Sequence, residues 1–263
     1  MPAQLLLDKM VFRKTNNKIG RHLSATPGNS TNRHLAYGRI ILDASAPAVQ
    51  FATANRETGL ICLSGLATVR VDGRSFRLGQ YDAIYVPRDS QLEVVTNTQV
   101  DLVEFSADVE HHYPLQFVSF ADVCQDPALR YDSGIPGQSR RHHHVLFGKN
   151  VNTGRLAAGF TYSEPGNWAS WPPHEHAAAL EEMYVYFNMP APAFALQLVY
   201  DNTEYPEMII PVRDGDAVLM PSGYHPNVSV PGHRICYVWG TAAHREHVER
   251  KTGLGSVQPD FCC

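Results

Sequence analysis

Little in this sequence is extreme, and each missing extreme removes a class of protein. Charge is sparse and nearly balanced: charged residues make up 18% of the 263, and 22 Lys and Arg against 26 Asp and Glu leave a net charge of −4. No basic stripe is available to hold a nucleic-acid backbone. Long hydrophobic runs are missing as well. The early run Leu5-Leu6-Leu7 is interrupted at once by Asp8 and Lys9, with no small-residue cleavage pattern behind it, so neither a signal peptide nor a membrane span is expected. Cysteines are few and odd in number, five in all. Cys62, Cys124, Cys236 and the terminal Cys262 and Cys263 have spacings that fit neither a zinc knuckle nor a disulfide framework. A reduced, cytoplasmic protein is the expectation. At this length a core forms without disulfides. Helical periodicity is scarce too, amounting to a turn or two near Ala107 to His112 or Ala121 to Asp126.

What is present reads as strand. Gly59 to Leu63, Ala67 to Val71, Ala83 to Val86, Leu92 to Val95 and Val100 to Phe105 are short, rich in β-branched, aromatic and aliphatic residues, and separated by turn residues. The second half repeats the style at Ala157 to Tyr162, Met183 to Phe187, Phe194 to Tyr200 and Ile235 to Trp239. Closely spaced short strands with Gly and Pro turns predict an all-β sandwich or barrel.

An internal repeat divides the chain. Gly79-Gln80-Tyr81-Asp82-Ala83-Ile84-Tyr85-Val86-Pro87 leads to Gln91, and Gly215-Asp216-Ala217-Val218-Leu219-Met220-Pro221 leads to His225. Aligning the prolines aligns Asp82 with Asp216. Two copies of one barrel are expected, 1–130 and 131–263, meeting in the turn-rich stretch Asp126 to Ser139.

The second copy carries the chemistry. In Pro172-Pro173-His174-Glu175-His176 the two histidines stand at i and i+2, on one side of an extended chain. A His-x-His alone is more often a surface accident than a ligand pair. Here a glutamate follows at the start of the next strand, and Pro221-Ser222-Gly223-Tyr224-His225-Pro226 supplies a third imidazole. Three His and one carboxylate hold a divalent transition metal and leave positions open for a substrate. Zn²⁺ is expected, and Mn²⁺, Fe²⁺ or Ni²⁺ also suit the donor set. If Glu182 opens the strand, it shares a barrel-lining face with Tyr184 and Tyr186, while Met183, Val185 and Phe187 face outward. Glu181 is the alternative ligand. The run His142-His143-His144 alternates sides in a strand and cannot serve one ion, and His111, His112, His244 and His247 read as solvated. In the first copy Gln91 stands where His225 stands and no His-x-His precedes the strand; Asn55 and Glu57 are the nearest polar pair. That copy is expected to be a metal-free packing partner.

His174-x-His176, the glutamate and Gly215-Asp216 through Pro221-x-Gly223 to His225 resemble the two motifs of the cupins. More narrowly, the chain resembles the bicupin uronate isomerases from about Thr53 to Ala243. Asn167 to His176 and Pro221 to Pro226 are similar to 5-deoxy-glucuronate isomerases of inositol breakdown. Arg56 to Ile61, Val71-Asp72-Gly73, Asp82 to Val86, Val238-Trp239-Gly240 and the short gap from His176 to Glu182 are similar to the 5-keto-4-deoxyuronate isomerases of pectin breakdown. The resemblance implies two tandem jelly-roll barrels, a homo-oligomer, and Glu182 as the ligand carboxylate. It also implies aldose–ketose isomerisation of a small sugar acid, with no nucleic-acid or membrane partner.

Such a metal withdraws charge from a carbonyl and stabilises the enediolate formed when a base removes the neighbouring proton. Glu181, Tyr184, Tyr186, Tyr224 or a metal-bound water are the candidates for that base. A substrate carboxylate needs a cation, and Arg140, Arg141, Lys149 and Arg213 are the choices. Another metal-cupin enzyme, a dioxygenase or lyase, and a non-catalytic sugar-binding cupin are the competing classes.

Overall fold

Residues 3–248 and 255–261 are described by a computed structural model; Cys262 and Cys263 lie outside them. The chain begins with α1 (Ala3–Met10), β1 (Val11–Phe12), β2 (Gly20–Ala25), β3 (Ala36–Leu42), β4 (Ala48–Ala52), β5 (Arg56–Gly65) and β6 (Ala67–Val71). β7 (Arg74–Leu78), β8 (Ala83–Val86), β9 (Gln91–Val95), β10 (Val100–Asp108), β11 (Gln116–Val118) and α2 (Phe120–Gln125) follow. The second half holds β12 (Arg130–Ser133), β13 (Arg141–Phe147), β14 (Leu156–Ser163), β15 (Trp168–Ala169), β16 (His174–Glu175) and β17 (Leu180–Tyr186). It closes with β18 (Ala195–Val199), β19 (Met208–Val212), β20 (Ala217–Met220), β21 (Asn227–Ser229), β22 (Cys236–Ala243) and β23 (Ser256–Val257). The expected turn of helix at Ala121 to Asp126 is α2, whereas Ala107 and Asp108 are the end of β10. No helix among the described residues is long and apolar enough to cross a membrane, and Cys62, Cys124 and Cys236 are free thiols.

The strands build two jelly-roll barrels, each from a large and a small sheet. In the first, β11-β8-β5-β10-β3-β2 faces β4-β9-β6-β7; in the second, β1-β20-β17-β22-β14-β13-β12 faces β15-β21-β18-β19. Leu60, Cys62, Val69, Val94 and Leu102 fill the first barrel. The two large sheets also pack on each other, joining Tyr37, Ile61 and Phe105 to Phe147, Met183 and Val185. β17 is therefore covered on both faces and buried along its whole length, as a doubly covered strand must be. The apolar set Met183 and Val185, expected to face outward, does leave its own barrel and is buried against the other. Gly240 marks how closely the sheets approach, because a Cβ there would lie 2.6 Å from the Phe105 ring.

The repeat is exact enough to be followed bond by bond. Cys62 N–H donates to Asp82 O as Tyr186 N–H donates to Asp216 O. The Asp82 carboxylate accepts the N–H of Gly79 and Phe120, and the Asp216 carboxylate accepts those of Arg213 and Lys14. Phe120 and Lys14 each come from the other half's leading segment. β1 pairs with β20 of the second barrel through Val11–Val218 and Phe12–Ala217, and β11 pairs with β8 of the first through Phe117–Ile84 and Val118–Ala83. Each half thus lends its leading strand to the opposite barrel.

The expected division at 130/131 is crossed by this exchange. The first barrel ends with β11, α2 packs on β12 and β13 of the second, and the chain's own start belongs to the second. Turn-rich composition marks a reversal of the chain, not membership of a sheet.

The repeat also corrects the equivalence of Gln91. Asp72 and Tyr200 N–H donate to the carbonyls of Gln91 and Tyr224 respectively, so Leu92, buried in the core, holds the place of His225. Thr58 holds that of Glu182. The connection before the strand is shorter in the first barrel, 53–55 against 170–179, and Asn55 is exposed.

Candidate metal centre

The connection between β15 and β17 would be loose without outside support, because β16 is only a two-residue strand. The 255–261 segment supplies that support. β23 pairs His174 with Val257, and Gln258 N–H donates to Pro173 O at 2.9 Å while its side chain accepts from Tyr200 Oη at 2.8 Å. Beyond His176 the chain turns back through hydrogen bonds from Ala179 and Leu180 N–H to the His176 carbonyl. His244 braces this turn twice, its N–H donating to Ala179 O and its Nε2 to Ala177 O.

One nitrogen from each of His174, His176 and His225 lies within 4.8 Å of the others. The Glu182 Oε2 joins them, 2.6 Å from His176 Nε2 and 3.0 Å from His225 Nε2. The Nδ1 atoms of His174 and His225 each lie 2.9 Å from a backbone carbonyl, Pro172 O and Gly223 O. A carbonyl only accepts, so Nδ1 carries the proton in both rings and Nε2 presents a lone pair to the centre. The His225 Nε2 is buried without a hydrogen-bond partner, a state that costs on the order of 1–3 kcal/mol. Convergent lone pairs, tautomers fixed from behind and an orphaned nitrogen fit a divalent metal of the imidazole-binding class. Burial lowers the His174 pKa to about 4, keeping the ring neutral as a ligand must be. For His176 burial acts downward as well, but the Glu182 charge outweighs it and the pKa is raised. In Glu182 burial is outweighed by His176 and His225, and the carboxylate is held well below its usual range.

A cavity of about 450 Å³ opens over His174, His176 and Glu182. Cross-strand register lines its wall: Tyr237, Thr161, His143 and Tyr131 stand opposite one another across β22, β14, β13 and β12. Hydroxyls link the wall to the centre. Tyr184 Oη meets Ser170 Oγ at 2.7 Å, and Ser170 Oγ meets Tyr237 Oη at 3.2 Å. His143 meets Thr161 Oγ1 at 3.2 Å and Ser133 Oγ at 2.8 Å. Ser170 adopts φ 49°, a left-handed conformation uncommon outside glycine. It is held there with its hydroxyl between the two tyrosines.

Residues 9–253 match the KduI/IolB family. The chain belongs to that family. A 5-deoxy-glucuronate isomerase from Geobacillus kaustophilus is 26% identical over 239 residues, covering 84% of this chain and 84% of its own. A 4-deoxy-L-threo-5-hexosulose-uronate ketol-isomerase from Caldicellulosiruptor bescii is 28% identical over 213 residues, covering 79% and 74%. Among solved structures, an IolB-like protein from Salmonella typhimurium LT2 superposes with a TM-score of 0.81 at 22% identity, over 95% of this chain and 97% of its own.

In this KduI/IolB family member His174, His176, Glu182 and His225 are brought together, and Tyr184 lines the cavity beside them. Tyr186 lies deeper. Its Oη donates to Gln197 Oε1 at 2.5 Å, and Gln197 Nε2 donates to the His225 carbonyl at 3.0 Å, so Tyr186 braces the backbone of His225. Glu181, a candidate base, is not among the residues that line the cavity. Its carboxylate crosses to the first barrel and accepts the N–H groups of Arg33, His34 and Leu35. Glu57 does the same in the opposite sense with Gly154, Arg155 and Leu156.

Tyr224 packs against Tyr200 with ring centroids 5.7 Å apart. His142 and His144 stack on Tyr162 and Phe160, while His143 alone of that run enters the cavity. Counting alternation from Arg141 through the run finds His143. No short pattern announces Ser170, Tyr237 or the 255–261 segment.

Proposed function

We propose that this protein is a metal-dependent isomerase that interconverts the aldose and ketose forms of a deoxy-uronate, most like 5-deoxy-glucuronate isomerase. The observation that carries the reading is the convergence of His174, His176, Glu182 and His225 at a cavity sized for a small sugar acid. A divalent ion held there supplies electron withdrawal from a substrate carbonyl without redox change, a task for which Zn²⁺ suffices. Trp171 and Trp239 line the cavity and limit water around the reacting carbons. Burial holds the Tyr184 pKa well above its usual value, so Tyr184 acts as a hydrogen-bond donor toward a substrate oxygen. Ser170 and Tyr237 fix the direction of its hydroxyl.

The second reading is a 4-deoxy-L-threo-5-hexosulose-uronate ketol-isomerase. It is favoured by the short gap between His176 and Glu182, closed here by a single turn. The test is ¹H NMR of metal-replete protein incubated separately with 5-deoxy-glucuronate and 5-keto-4-deoxyuronate in D₂O. Conversion of the first, with deuterium entering at the reacting carbon, is the expected result. Conversion of the second alone selects the other reading, and conversion of neither overturns both.

A further inference from the structure

We propose that Arg141 binds the carboxylate of the sugar acid and so decides which way round the substrate lies in the cavity. This rests on the uronate reading and adds to it the group that recognises the acid. Arg39 grips Asp101 through two 2.6 Å bonds and Arg21 grips Glu104 through two of 2.7 Å, whereas Arg155 donates only to main-chain carbonyls at the junction of the barrels. Arg141 resembles Arg155 in its partners but lines the cavity. It donates to two backbone carbonyls, Ser139 O at 3.0 Å and Trp171 O. Burial works against its charge, and the titratable groups that interact with it are Tyr237, Tyr184, Tyr131 and His143.

A guanidinium carries five N–H donors in a planar fork shaped for a carboxylate. Here the fork is anchored from behind, desolvated, and without a counter-ion among the described residues. Glu182, the carboxylate that shares the cavity, is held by His176 Nε2 at 2.6 Å. The alternatives are placed elsewhere. Arg140 pairs with Asp132 at 3.1 Å, and Lys149 and Arg213 are exposed. Two residues along β13, His143 has both ring nitrogens engaged by hydroxyls and burial lowers its pKa to about 3. It therefore walls the same end without adding charge. An acid group placed on Arg141 leaves the rest of the sugar to run across the cavity toward His174 and His176.

The test compares D-glucuronate with D-glucose as ligands of the metal-replete protein by calorimetry, with metal content measured in every variant. Wild type should prefer the acid. Arg141→Gln with metal retained should raise the D-glucuronate Kd by about tenfold or more, as loss of a two-point charged contact implies, and move the D-glucose Kd less than about twofold. General damage to the loop that Arg141 anchors would weaken both ligands alike. Should Arg141→Gln fail to fold, Arg141→Lys, which keeps the charge but not the fork, should give an intermediate preference. A wild type without preference, or a preference unchanged in whichever variant folds, overturns the proposal. Preference lost in the variant, from a protein that converts neither uronate, would sink the isomerase reading and leave Arg141 assigned.

Discussion

Replacing Glu57 or Glu181 by alanine tests whether these residues join the barrels or perform chemistry. Glu57 is fully buried and accepts from Gly154, Arg155 and Leu156 N–H at 2.6 to 2.8 Å and from Tyr85 Oη at 2.8 Å. Glu57→Ala leaves three N–H groups facing a cavity. Each buried unsatisfied donor costs roughly 1–3 kcal/mol. Against this, the desolvation that pushes the Glu57 pKa upward is relieved when the carboxylate goes. The net loss should be about 3–5 kcal/mol, the range found when one partner of a buried charged contact is removed. Glu181→Ala should cost about 3 kcal/mol for the same reason, with turnover of the folded, metal-loaded fraction within about twofold of wild type.

Urea unfolding followed by far-UV circular dichroism and by tryptophan fluorescence measures both the size and the coupling. Trp168, Trp171 and Trp239 all lie in the second barrel, so fluorescence reports that barrel while dichroism reports the whole. In wild type the two transitions should coincide. A Glu57→Ala loss under about 1 kcal/mol would refute the argument. A stable Glu181→Ala protein with turnover reduced by a factor of about a hundred would return Glu181 to the role of base.

His225→Ala should remove stoichiometric metal, measured by plasma mass spectrometry on protein purified without chelator; full occupancy would count against the ligand set. Tyr184→Phe should lower kcat by roughly 10²-fold with metal retained, and unchanged turnover would dismiss it as a proton donor. For His143 the folded pKa of about 3 lies below the ordinary value near 6.5, so the unfolded chain takes up the proton first. Stability contributed by the neutral ring is complete above about pH 6.5 and is lost as pH falls toward 3. The loss is about 1.4 kcal/mol per pH unit, on the order of 2 kcal/mol by pH 5. His143→Asn should flatten that slope in urea titrations of metal-free protein, and an unaltered slope would show that other groups set it.

The clustering of His174, His176 and Glu182 is legible because strand alternation is local: positions i and i+2 share a side whatever the tertiary context, which places His174 with His176 and Glu182 with Tyr184. The same rule found the strands with clear apolar runs. It missed β13, where Arg141 and three histidines mask a strand buried at its far end, and β1, whose two residues form a strand only because β20 is beside them. The placement of Glu181 is hidden from the sequence for a physical reason. Its partners are backbone N–H groups nearly 150 positions away, and a main-chain donor leaves no mark in the amino-acid letters. Gln91 was misaligned because the turns after Pro87 and Pro221 differ by one residue, and only hydrogen-bond register reveals the offset.

The exchanged leading strands impose an order on synthesis. β11 follows β8 closely, so the first barrel can complete its large sheet soon after residue 118 leaves the ribosome. The second barrel depends on Val11 and Phe12, and these find their partners only after Ala217 and Val218 have emerged. Until then the nascent chain carries an unclaimed strand. The sheet that bears Glu182 is finished by a strand made long before it, and the 255–261 segment that braces His174 is made after every strand of that sheet. The braced geometry of this site therefore waits on chain made after both barrels.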